Sequence, residues 1–412
     1  YGGEGSDGQA SVDLAMEAYE LGVARLGKTE MNEIMKKSTE RILRTHFNIG
    51  IVDNPYLNLN VAESTSNKPE HEAAGHHAHL KSIVMLKNSD GTIHKASAGV
   101  KKQKVYIPRV YTPATGGWTR TPASAEPGFS LEAAGEYYDV VTDALADTYT
   151  GPADNEGNPT LSPNDIIRVS KEEIAKCDFA IVRISNPQNG NPTFVESGGM
   201  RDGGPGSEGS ISDRQEFTYL PISLQYRPYT ANSEFGPRES LGGDMIEVTE
   251  QSTDGETKNL VRENRSYFGK TGIITNESHL DLVLNTASAA EKVIVVLDMS
   301  KPMVFREFEG EVDAILVGFG GNRAANVPDK AFLEILTGQV EPSGLLPLQM
   351  PANMEVVEAQ FEDVPRDMDC HVDSDGNAYD FAFGLNWSGV IKDDRTTKYG
   401  VPPIVGKAPN SN

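Results

Sequence analysis

Hydrophobic positions along this chain change their period near residue 80. From Ser11 to Arg25, Val12, Leu14, Ala15, Ala18, Tyr19 and Leu21 recur at helical spacing, and Gly27 ends the run. A second helical run opens at Thr29 with Glu33 and carries Met31, Ile34, Ile42 and Leu43 through to Phe47. Arg41 and Arg44 fall in its last turns, where cations favour the helix dipole. Gly50, Asn54 and Pro55 then break the pattern. Two amphipathic helices with no strand between them make no domain of their own. They read as the tail of a structure whose strands lie upstream. Asn58 to Pro69 is polar and reads as a linker, and Glu70 to Lys87 as the next helix.

Beyond Val105 the pattern is strand and helix in alternation. Val105–Pro108 and Tyr138–Val141 are expected strands, and Ser170 caps a helix through Cys177 with Glu173 in the capping-box position. Phe179-Ala180-Ile181-Val182-Arg183-Ile184 reads as a buried central strand. A helix over Asn276–Ala290 leads into the strand Lys292–Leu297. A helical segment after Pro302, the strand Asp313–Phe319 and a helix over Ala324–Thr337 follow. Strands that are apolar throughout, separated by helices, predict an α/β fold: a mostly parallel sheet with helices on both faces. Glu216–Asn276, turn-rich and acidic around Thr249–Thr257, is expected to wrap the surface. Gly344–Trp387 is mixed, and Lys392–Asn412 reads as a loose tail.

Composition narrows the partners. The chain has 412 residues, enough for two or three domains. Its 37 basic against 60 acidic side chains leave a net charge of −23. Such a surface repels nucleic acid and anionic membranes and suits a neutral ligand. No apolar run reaches bilayer length and no signal-peptide pattern opens the chain, which begins at Tyr1. A soluble protein, cytoplasmic or secreted, is expected. Cys177 and Cys370 are too few for a disulfide framework or a zinc site and read as packing residues.

The stretch with the most chemistry is Asn186–Arg214, which leaves the end of the Phe179 strand. Gly190, Gly198, Gly199, Gly203, Gly204, Gly206 and Gly209 exclude a helix or a central strand. Glu196, Asp202, Glu208 and Asp213 lie along it, with Arg201 and Arg214 beside them. Either it is a solvated linker, or it is a loop that carries an acid to a substrate held elsewhere. Parallel sheets hold ligands beyond the carboxyl ends of their strands, and the loop leaves from such an end. A second candidate is the helix bearing His71, His76, His77 and His79. It lacks the i, i+4 pair of a zinc-binding HExxH and has no carboxylate placed to complete a ligand set. No metal and no cofactor is expected.

Several motifs taken together resemble one family. Arg41-Ile42-Leu43-Arg44 with Phe47, Gly50 and Asp53-Asn54-Pro55-Tyr56 is similar to the end of the barrel domain of glycoside hydrolase family 3. Ser82–Asn88, Glu341–Pro351 and Tyr379–Leu385 are similar to segments of that family's second domain, in the same order. The resemblance covers the chain to about residue 390. It implies the end of a (β/α)8 barrel at 1–57, a linker and first helix at 58–80, an α/β sandwich at 81–391 and a tail at 392–412. It also implies retaining hydrolysis of a β-linked sugar, most simply glucose, from the non-reducing end of oligosaccharides or glycosides. The family's nucleophilic Asp would lie on a barrel strand before Tyr1, in an N-terminal TIM-barrel portion present as a separate or cleaved chain. The acid/base would be Glu208, in Glu208-Gly209-Ser210-Ile211-Ser212-Asp213-Arg214, with Glu196 as the second choice. Asp213 and Arg214 are substrate-binding candidates, or an ion pair that pins the loop. Trp118, Tyr219, Tyr226 and Tyr229 are candidate stacking platforms for sugar rings, or packing residues. A homo-oligomer is compatible with all of this. The alternative function is a non-catalytic α/β module that binds carbohydrate or holds a partner chain.

Overall fold

The computed structural model describes residues 8–66, 68–97, 101–114, 122–153, 157–189, 193–194, 217–218, 223–231, 245–251, 257–263, 271–272, 274–320, 328–360 and 364–400. They divide into two units, one up to Ala74 and one from Gly75 onward.

The first unit is helical. α1 (Gly8–Leu26) and α2 (Lys28–Asn48) hinge at Gly27, whose φ of 88° lies in the left-handed region open to glycine. The Tyr19 hydroxyl donates to Asn32 Oδ1 at 2.7 Å, tying the two helices together. α2 buries none of its residues: Ile42 and Phe47 are each 58% exposed, and Ile34, Met35 and Leu43 are exposed too. The expected linker is partly ordered, because Leu59–Ser66 forms α3, again with nothing buried.

α4 (Pro69–Ser82) stops earlier than its sequence suggests. Instead of continuing to Lys87, the chain enters β1 (Val84–Asn88), whose first four residues are all buried. An apolar run this short fits a strand or a helix equally well from its sequence, and burial between two strands decides for the strand. Six more strands complete most of the sheet: β2 (Lys104–Tyr106), β3 (Asp139–Val141), β4 (Phe179–Ser185), β5 (Val293–Met299), β6 (Ala314–Phe319) and β7 (Leu385–Asn386). With β8 (Gly389–Val390) the order is β8-β7-β1-β6-β5-β4-β2-β3. The five strands from β6 to β3 run parallel, while β1, β7 and β8 each pair antiparallel with their neighbours.

Alternate residues of these strands build two cores. Ala180, Val182, Ile184, Val295, Leu297, Ile315 and Val317 pack on one face with Leu280, Leu282 and Val283 of α6 (Ser278–Ala287). Ile181, Ile294, Val296 and Leu316 pack on the other with Ala134 of α5 (Leu131–Tyr137) and Phe332, Leu333 and Ile335 of α7 (Asp329–Leu336). Each fully buried Ile, Leu or Phe contributes about 1.5–3 kcal/mol, so the two-faced burial of β4, β5 and β6 dominates this unit. The fold is thus a mostly parallel mixed sheet with helices on both sides.

Arg183 is the one charged side chain within β4. Its guanidinium pairs with Asp298 at 2.8 Å and Asp329 at 2.6 Å, between the rings of Phe129 and Phe332 at 5.0 Å from each centroid. This ties the start of α7 to the sheet. Gly344, in the Pro342–Pro347 motif, is fixed by close approach: a Cβ there would lie 2.3 Å from the Ile83 carbonyl oxygen.

Three local expectations are corrected. The segment after Pro302 is a buried irregular run, Met303–Phe305 with Phe308, and holds only a short turn of helix at Glu309–Glu311. It packs on the sheet face through side chains rather than through helical periodicity. The stretch read as turn-rich surface forms an antiparallel hairpin, Met245–Gln251 with Thr257–Glu263. The C-terminal stretch holds the helix Asp394–Tyr399, capped by Asp393.

Candidate active site at the carboxyl edge of the sheet

The chain leaving β4 is held by a cluster of carboxamides. Asn186 is buried, and its Oδ1 accepts from Ser300 N at 2.9 Å, just past the end of β5. Gln188 N donates to Asn276 Oδ1 at 2.7 Å, and Thr275 N donates to the Gln188 carbonyl at 2.8 Å. Asn276 Nδ2 donates to the Asn186 carbonyl and to His279 Nδ1, each at 3.1 Å. An amide nitrogen can only donate, so His279 accepts at Nδ1 and donates from Nε2 to the Tyr111 carbonyl at 3.1 Å. Burial lowers the basicity of this ring, against the pull of the Tyr111 carbonyl, which favours the neutral form that the tautomer requires.

The returning chain is fixed as firmly. Ser223 N donates to Asn189 Oδ1 at 2.7 Å. Glu307 accepts from Tyr226 N at 2.6 Å and from Arg227 N at 2.9 Å. Burial raises the Glu307 carboxyl, although these two backbone bonds oppose it, so both of its oxygens are engaged in anchoring backbone. The Tyr226 hydroxyl donates to the Ser185 carbonyl at 2.6 Å, at the end of β4. Between these segments in sequence, Thr193 pairs with Thr218 and Phe194 with Phe217 in a short antiparallel hairpin stem.

Lys301 completes the edge. Its ammonium reaches the Ser223 carbonyl at 3.4 Å and forms no ion pair among the described residues. Burial pushes it down to about 8.

Glu196, Glu208, Asp213 and Arg214 lie outside the described residues, as do Trp118 and Tyr219. Glu196 follows Phe194 of the stem by two positions in sequence, and residues 195–216 join the two stem strands. Tyr226 is fully buried with its hydroxyl taken, so it packs in the core and is not a stacking platform. Tyr229 is partly buried beside Val304 and Met354. Of the histidine helix, His76 pairs with Glu334 of α7 at 2.8 Å. Among the described residues no three His, Cys, Asp or Glu side chains converge on a metal-sized site. No helix there is long and apolar enough to cross a membrane.

Sequence reasoning missed the amide cluster. Its signal was present in Asn186-Pro187-Gln188-Asn189: a run of carboxamides straight after a buried strand satisfies backbone groups that the sheet has released. Lys301 gave no such signal. Its environment is made by residues some 80 positions away.

Residues 245–387 match the model of the glycosyl hydrolase family 3 C-terminal domain. A probable β-glucosidase C of Aspergillus flavus is 29% identical over 251 residues, 54% of this chain and 36% of that protein. A β-glucosidase C of Emericella nidulans is 27% identical over 224 residues, 49% of this chain and 34% of its own length. The chain therefore spans about a third of the length of the curated relatives it matches. Among solved structures, a β-glucosidase from Erythrobacter marinus aligns with 89% of this chain and 42% of its own, at 16% identity and a TM-score of 0.44. One from Listeria innocua aligns with 88% and 40%, at 14% identity and a TM-score of 0.43. Over residues 245–387 the chain matches the glycosyl hydrolase family 3 C-terminal domain, and over about half of its length it is similar to β-glucosidases.

Proposed function

We propose that this chain is the acid/base-bearing portion of a retaining β-glucosidase that removes a β-linked glucose from the non-reducing end of oligosaccharides or glycosides. Glu208 is the acid/base, with Glu196 as the second choice, and Asp213 and Arg214 contact substrate. The nucleophilic aspartate belongs to an N-terminal TIM-barrel portion, for which residues 1–57 supply the closing helices, 58–80 the connection and 81–391 the sandwich. The single observation that carries this reading is the hairpin stem. The paired strands 193–194 and 217–218 flank the carboxylate-bearing stretch in sequence, and the segments at 186–189 and 223–227 are held by hydrogen bonds at the carboxyl edge of a parallel sheet. Two further facts support a barrel partner: the exposed apolar side chains of α2, and a match that covers only about a third of the relatives' length.

The chemistry asks for two carboxyl groups about 5–5.5 Å apart. The aspartate attacks the anomeric carbon while the glutamic acid gives its proton to the departing glycosidic oxygen. The resulting glutamate then takes a proton from water as that water displaces the aspartate. The acid must stay protonated near neutral pH, so sugar binding has to strip water from it or bring an anion close. Glu208→Gln, tested in the enzyme with its barrel portion, should cut turnover about a hundredfold or more for poor leaving groups and far less for activated aryl glycosides. Azide should restore turnover by capturing the glycosyl intermediate. Equal loss on both substrate classes for Glu208→Gln and for Glu196→Gln alike would refute the acid/base assignment.

A further inference from the structure

The hydrogen bonds that join the end of β4 to the start of α6 have a direction imposed from both ends. At one end the backbone donor Gln188 N meets Asn276 Oδ1, so the other arm of that carboxamide is its nitrogen. This Nδ2 donates to the Asn186 carbonyl and faces His279 Nδ1, each at 3.1 Å. At the other end His279 Nε2 faces the Tyr111 carbonyl, which can only accept. Backbone groups therefore select one state of the ring, with hydrogen on Nε2 and a lone pair on Nδ1. A second proton would set Nδ1–H against the hydrogens of Asn276 Nδ2. His279 and Asn276 are 4% and 2% exposed, so the added charge would also be buried.

Among the described residues no anion is placed to compensate it. On α6, Glu277 and Asp281 pair with Arg227. On the strand Arg109–Thr112, Arg109 donates to the carbonyls of Asp143 and Ala125. On β4 and β5, Arg183 and Asp298 pair with each other beside Phe129 and Phe332, in the core on the other face of the sheet. The Tyr226 hydroxyl is taken by the Ser185 carbonyl, and Glu307 holds the Tyr226 and Arg227 amides. Burial lowers the basicity of the ring more than the Tyr111 and Ser185 carbonyls raise it.

We propose that His279 is an acid-released latch: on taking a second proton it parts from Asn276 and frees the two segments that Asn276 joins, Asn186–Gln188 after β4 and Thr275–Asn276 before α6. Thr275 N, which donates to the Gln188 carbonyl at 2.8 Å, is released with them.

In the open state the ring is solvated and takes its proton with ordinary affinity, near pH 6.5. The closed ring takes none, so each pH unit below that point favours opening about tenfold. Hydrogen exchange at the Gln188 and Thr275 amides of the 412-residue chain, corrected for the intrinsic rate at each pH, should therefore lose about tenfold of its protection between about pH 7.5 and pH 5.5. In His279→Gln, whose side chain does not titrate, the loss should shrink to less than about twofold. Nitrogen-15 spectra of the histidines in wild type supply a second measurement. The His279 ring should carry its hydrogen on Nε2 and stay neutral to at least about one pH unit below 6.5. A ring that titrates at or above that value, or one with its hydrogen on Nδ1, overturns the latch whether or not the variant folds. So does protection that is flat over this range in wild type, or an acid loss that persists in His279→Gln. Neither measurement requires glycosidase activity, so the result stands apart from the acid/base reading.

Discussion

Replacing Lys87 by Met should destabilise the sandwich more than most single changes outside the hydrophobic core. Lys87 lies on β1, 3% exposed, with its ammonium 2.7 Å from Glu309 Oε1 and 2.7 Å from the Glu309 carbonyl oxygen. Ser374 Oγ donates to the same carboxylate oxygen at 3.0 Å, and His371 Nε2 stands 3.5 Å from Oε2. Burial works to raise the Glu309 carboxyl. The neighbouring His371, the Lys87 bond and charge, and the Ser374 hydroxyl more than offset it and hold the group down at about 2. From an ordinary value of 4.5, a shift of that size corresponds to about 3 kcal/mol at 1.36 kcal/mol per pH unit. Removing one partner of a buried pair costs about 3–5 kcal/mol because the other charge is stranded. The two figures agree, and either is a large part of the roughly 5–15 kcal/mol that holds a domain folded.

Urea unfolding at pH 7, followed by far-ultraviolet circular dichroism, should show this loss for Lys87→Met. The double variant Lys87→Met with Glu309→Gln should lose less, since no charge is left stranded. The pH dependence has a fixed sign. A carboxyl whose folded value is depressed contributes stability that is present above 4.5 and drains away as pH falls towards about 2. Wild type should therefore lose stability across that window, and Glu309→Gln should lose less of it. A Lys87→Met cost below about 1 kcal/mol, or a penalty indifferent to Glu309→Gln, would refute the reasoning.

Lys301→Met should act in the opposite direction. Burial depresses this lysine to about 8, so its charged form costs the folded state free energy below that pH, and wild type gains stability as pH rises from about 8 towards 10.5. Discounted for its partial exposure to solvent, the gain from Lys301→Met at pH 7 is about 1–2 kcal/mol. A thermal midpoint that falls, or that rises equally at pH 7 and pH 10.5, would contradict this. Gly344→Ala places a methyl 2.3 Å from the Ile83 carbonyl and should cost about 1–3 kcal/mol or more, because backbone is the obstacle. Urea midpoints measure it, and a neutral result would show that the Gly344 loop can move away from β1.

Much of the sheet was legible in the chain. The runs at 179–184, 292–297 and 313–319 are apolar throughout, and such a run between helices has few folded homes other than a parallel sheet covered on both faces. Ser170 and Glu173 announced the cap that the structure shows, where the Ser170 side chain accepts from Glu173 N. Elsewhere local pattern was outvoted. Ile83–Leu86 followed a helix without punctuation, and only the strands on either side of β1 make it extended. Met303, Val304, Phe305 and Phe308 show no helical period, because Met303, Phe305 and Phe308 enter one core and Val304 another cluster.

At the candidate site the division is sharper. Which carboxylates lie on the glycine-rich stretch, and that it leaves a strand end, could be read from residue order, since both depend on neighbours in sequence. That Asn189 meets Ser223, that Glu307 holds two amides 80 positions away, and that Lys301 faces no anion among the described residues could not. Those facts follow from which strands lie side by side. Strand order is set by the burial of both faces of the whole sheet at once, and no local window of sequence contains it.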